Sequence, residues 1–173
     1  MWITQTYLGT VEPNANLFVY YMFENYDDAQ TEFSHQVQKQ LEGVADTFRD
    51  KVSLLIPNNK YANRIEAELR NNKELWDSLE GQLPGLFLSR KPLNEYNGTD
   101  EGNLYLAFNS KTPEDAAIII SKVREIANEA VKVTRPNTGK KWAHKVGRIV
   151  WEAIELSPNF CGIGINIKKL TRR

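Results

Sequence analysis

Cysteine occurs once in these 173 residues, at Cys161, so the chain can close no disulfide within itself and a disulfide-stapled secreted scaffold is excluded. Histidine occurs twice, at His35 and His144. Neither lies near the other or near Cys161, so metal-ligand spacing is missing and metal binding would have to rely on carboxylates. No apolar run approaches the roughly 20 residues that a membrane-spanning helix needs, and stretches such as Leu17 to Phe23 have the length of a strand. The opening residues Met1-Trp2-Ile3-Thr4-Gln5 carry neither the basic residue nor the long apolar core of a signal peptide. These absences together predict a cytoplasmic protein without a cofactor.

Acidic residues are missing over one long stretch, from Ala130 to Trp151. Through Ala130 there are 12 Lys and Arg against 20 Asp and Glu, and beyond it 10 against 2, so a net charge of zero hides an acidic part followed by a basic one. Such a split suits either an anionic partner for the basic end or docking of the two parts on each other. Hydrophobic content of 41% and charged content of 25% are ordinary for a chain that folds.

Apolar strands and amphipathic helices alternate along the acidic part. Leu17 to Phe23 is continuously apolar or aromatic, which suits a strand covered on both faces. Phe33, Val37, Leu41, Val44 and Phe48 recur at helical spacing and predict a helix running to about Asp50. Val52 to Ile56 reads as a second strand, stopped by Pro57-Asn58-Asn59. Tyr61, Ile65, Leu69, Trp76 and Leu79 mark a second helix, with Asn71-Asn72 as an interruption. Leu86-Phe87-Leu88 and Leu104 to Phe108 are the third and fourth strands. The Pro-, Asn- and Gly-rich loop between them predicts an antiparallel pair, because a parallel crossover needs a helix.

Thr112-Pro113-Glu114-Asp115 has the form of a helix start, with Thr at the N-cap and Pro in the first turn. Phe18, Phe33, Val37, Leu55, Leu86, Leu106 and Ile120 are expected to share one core. Arg135-Pro136-Asn137-Thr138-Gly139 breaks the chain where the charge changes sign. It divides an α/β domain over 1–135 from an extension over 136–173. That extension consists of a basic helix striped by Trp142, Val146, Ile149 and Val150 and a short strand near Phe160 to Leu170. At 34 residues beyond the break it is too small for a core of its own and should pack on the domain.

The order strand, helix, strand, helix, Pro-led strand, strand, helix over residues 17–131 resembles the thioredoxin-like fold. The nearest local match is Leu83-Pro84-Gly85-Leu86-Phe87-Leu88. The resemblance implies a mixed β-sheet of about four to five strands flanked by helices, here with a C-terminal helix-strand extension, and a cis-proline at Pro84. In such proteins a Cys-x-x-Cys sits between the first strand and the first helix. This chain has Phe23-Glu24-Asn25-Tyr26-Asp27-Asp28 there. Without a thiol at that position disulfide exchange has no nucleophile.

Other groups offer little chemistry. Cys161 lies in an apolar stretch with Gly162-Ile163-Gly164 and reads as a buried structural thiol, since a nucleophile needs a lowered pKa and a base. Gly162 and Gly164 lack the third glycine and the following helix of a dinucleotide fingerprint. His35 sits among Gln36, Gln38 and Gln40 and reads as solvated. The acid pairs Asp27-Asp28, Asp100-Glu101 and Glu114-Asp115 fall at turns or helix starts, where negative charge is favourable.

The best binding candidates are Lys140, Lys141, His144, Lys145 and Arg148, with Trp142 beside them, a set suited to phosphate backbones or anionic lipid. Tyr20, Tyr21, Tyr26 and Trp76 are alternative anchors for a protein partner or else core residues. The expectation is a non-catalytic adaptor or sensor module in a larger bacterial assembly, binding another protein. Nucleic acid or an anionic membrane surface at the basic part, a second copy of the chain, and an enzyme of unrecognised type using the acidic carboxylates are the alternatives.

Overall fold

The computed structural model describes residues 2–4, 12, 14–23, 28–57, 73–79, 82–95, 103–108, 110–132 and 148–149. Its elements follow the chain as β1 (Trp2–Thr4), β2 (Leu17–Met22), α1 (Asp28–Phe48), β3 (Val52–Pro57), α2 (Lys73–Leu79), β4 (Gly85–Ser89), β5 (Leu104–Ala107) and α3 (Pro113–Lys132). The protein is α/β, with a mixed sheet between helices. β2 lies at the centre, parallel to β3 with Leu17 opposite Val52 and antiparallel to β4 with Tyr20 opposite Phe87. β4 and β5 are antiparallel, Leu86 facing Leu106. The short β1 runs parallel to β3 at the edge.

All six residues of β2 are buried, which a continuously apolar strand requires when both faces are covered. The alternation of the strand sends them to opposite sides. Leu17, Val19 and Tyr21 join Phe33, Val37 and Leu41 of α1 and Ile119, Ile120 and Val123 of α3. Phe18, Tyr20 and Met22 join Leu75 and Leu79 of α2, with Phe87 and Tyr105. The seven residues expected to form one core are all buried but do not share it: Phe18 and Leu55 lie on the α2 side, the other five on the α1 and α3 side. An apolar run has no polar alternation to show which residue faces which layer.

α1 ends two residues earlier than the periodicity predicts. Arg49 takes a left-handed φ of 48°, and Arg49–Lys51 form a single 3-10 turn before the extended Val52. A left-handed residue ends a helix by turning the chain out of its axis. α1 and α3 lie side by side, close enough that Arg124 of α3 covers Gly43 of α1. The N-terminus of α3 is capped as its sequence indicates: the Asp115 N–H donates to Thr112 Oγ1 at 3.2 Å, and Asp115 Oδ2 accepts from the Ser110 N–H at 3.1 Å. Lys111, just before it, has a φ of 51°.

Of the second helix expected from Tyr61, Lys73–Leu79 is described, and residues 58–72 are not. The strand expected near Phe160 to Leu170 and most of the basic helix also lie outside the described residues. Arg148 and Ile149 are described as helical. Arg148 is exposed, while Ile149 is buried in the cluster with α1 and α3.

Candidate functional site

The C-terminal end of β2 and the chain leading into β4 meet at one end of the sheet, with Met22 opposite Gly85. Phe23 leaves β2 buried, its ring packed at a 30° tilt against that of Tyr21 with centroids 4.7 Å apart. Phe108, at the end of β5, meets Tyr21 and Phe33 edge-on at 6.1 and 5.3 Å. These four rings fasten the start of α1 to the sheet through aromatic packing. Residues 24–27 lie outside the described residues, and their sequence holds no sulfur.

The segment Gln82-Leu83-Pro84-Gly85 is held against β5 at three points. The Leu83–Pro84 peptide bond is cis and Pro84 is buried. The Pro84 carbonyl accepts from the Phe108 N–H at 2.9 Å, and the Gln82 carbonyl accepts from the Tyr105 hydroxyl at 3.0 Å. The Tyr105 ring then lies where a Cβ on Gly85 would be, so glycine is required by close approach rather than by a special φ. A proline ahead of an apolar run marks this corner in the sequence, but neither Gly85 nor its partner Tyr105, 20 positions later, carries a signal of the close approach.

The buried titratable groups of the sheet are phenols. Burial pushes the Tyr20 hydroxyl up to about 12, against the lowering effect of the Leu93 N–H that donates to it at 2.7 Å. Tyr21 is raised further by burial, opposed by the hydrogen bond that its hydroxyl shares with Ser34 Oγ at 3.2 Å. Both stay neutral at physiological pH, so neither serves as a base there. Ser53 and Ser89, buried like Ser34, each accept from a backbone amide, of Glu12 and Lys91 respectively. Arg90, at the end of β4, is half-buried, and desolvation lowers its pKa from the ordinary value.

Tyr20 and Tyr21 are core residues with no exposed surface, which removes them as partner anchors. Trp76 is half-buried against the α2-side cluster, and Tyr26 lies outside the described residues. His35 is exposed on α1 beside a shallow groove. Among the described residues no three of His, Cys, Asp and Glu come together in a way that could hold a metal ion. Glu114 and Asp115 sit in the first turn of α3, where Asp115 supports the cap, and Asp28 opens α1. Lys140, Lys141, His144, Lys145, Cys161 and the pair Asp100-Glu101 lie outside the described residues; of the basic set Arg148 is described and exposed.

No helix among the described residues is long and apolar enough to cross a membrane. Comparison with protein-family models, with curated proteins and with solved structures finds no match, and the functional reading therefore rests on this chain's own residues.

Proposed function

We propose that this chain is a thioredoxin-like module that binds another protein and carries out no thiol chemistry, serving as an adaptor or sensor domain within a larger assembly in the cytoplasm. The observation that carries the reading is the element order. β2, α1, β3, α2, β4, β5 and α3 follow one another with Pro84 directly ahead of β4 and with β4 and β5 antiparallel. That order suits a thioredoxin-like scaffold, while Phe23 to Asp28 provides no thiol where that scaffold would carry one. A scaffold kept without its nucleophile offers surface and shape to a partner instead of electrons.

The test is insulin reduction with dithiothreitol as the electron source, using the full chain and its Cys161→Ser variant, beside affinity capture from the native host on the immobilised chain. Background turbidity rates for both proteins and recovery of one defined protein that survives high salt are expected. Reduction that depends on Cys161 would overturn the reading. A second reading, an anion-binding module, rests on the acid-free stretch from Ala130 to Trp151 and on the exposure of Arg148. Recovery of nucleic acid or vesicle lipid that is lost as salt rises would favour it.

A further inference from the structure

We draw no further inference here: the strongest candidate, the shallow groove that Thr31, Glu32, His35, Gln36 and Lys39 line along α1, is formed by the side chains of a single helix, and nothing in the structure shows what covers it.

Discussion

Tyr20 and Leu93, 73 positions apart in sequence, are joined by a hydrogen bond of 2.7 Å in which the Leu93 N–H donates to the phenol oxygen. The bond ties the turn after β4 to the central strand, on the α2 side of the sheet. Tyr20→Phe keeps the ring and removes the acceptor, leaving a buried amide without it. A loss of about 1–3 kcal/mol is expected in chemical denaturation. Exchange of the Leu93 amide should quicken while amides in α3 keep their protection relative to global stability. A variant as stable as the parent would mean that the bond contributes nothing.

The same tyrosine sets a response to alkali. Its folded pKa of about 12 lies above the ordinary tyrosine value of 10.0, so the stability linked to its neutral form is fully present below pH 10. That stability is lost as pH rises from 10 toward 12, and Tyr21, raised in the same direction, acts alike. Phenolate absorbance should therefore leave a fraction of tyrosines silent until the protein unfolds. The silent fraction should shrink in a Tyr20→Phe, Tyr21→Phe double variant. Complete titration near pH 10 in a protein that circular dichroism shows still folded would contradict the burial of both.

Gly85 and Tyr105 cannot both keep their places if Gly85 gains a side chain. Gly85→Ala drives a methyl into the Tyr105 ring and toward the Leu106 carbonyl, which lies 2.7 Å from the methyl position. Overpacking of this kind costs about 1–3 kcal/mol. In the Tyr105→Ala background, itself destabilised by the loss of a buried ring, Gly85→Ala should cost less, though not nothing, because the carbonyl stays. A double-mutant cycle measures the coupling. Purely additive losses would show that the ring yields freely.

Two separate clusters on opposite faces of the sheet make a prediction that one core would not. Leu41→Ala on α1 and Leu79→Ala on α2 should each cost about 2–5 kcal/mol. Their sum should match the double variant within about 0.5 kcal/mol, because the side chains share no neighbours across the sheet. A coupling well above that, measured by urea denaturation, would mean that the layers pack as one.

The charge split separates the two functional readings. If the basic part binds a polyanion, affinity for duplex DNA should fall with salt at a log-log slope near −0.9 for each phosphate neutralised. Replacing Lys140, Lys141, Lys145 and Arg148 by Gln should flatten that slope with the fold intact. If the basic residues face the acidic part of the chain, no gel shift is seen at physiological salt in either protein, and the four changes alter stability only slightly, surface pairs being weak. The protein-binding proposal expects the second outcome.

The elements of this fold are visible in the sequence wherever their signal is local. Phe33, Val37, Leu41 and Val44 announce α1 by spacing alone, and Thr112-Pro113 announces the start of α3 by the chemistry of its cap. What depends on distant partners was hidden. The fully apolar β2 declared itself buried, yet it could not say that Phe18 and Leu55 belong with α2, since that depends on the phase of the strand in the sheet. The edge strand Trp2–Thr4 has no local signal, because three residues are too few to display a period. At the corner before β4 the sequence singles out Pro84 alone, and the close approach of Gly85 to Tyr105 arises only through the pairing of β4 with β5.

The central position of β2 carries a consequence for synthesis. Its six apolar residues leave the ribosome near the start of the described chain, followed by the parallel neighbour at Val52–Pro57, but the antiparallel neighbour ends only at Ser89. Until then Leu17–Met22 has one edge unpaired, and such a segment in a nascent chain invites pairing with other chains. The long amphipathic helix α1, made directly after it, is on hand to cover one face early; the other edge must wait for β4. A nascent chain halted after β3 has left the ribosome but before Ser89 emerges should therefore be the most aggregation-prone and recruit the most chaperone.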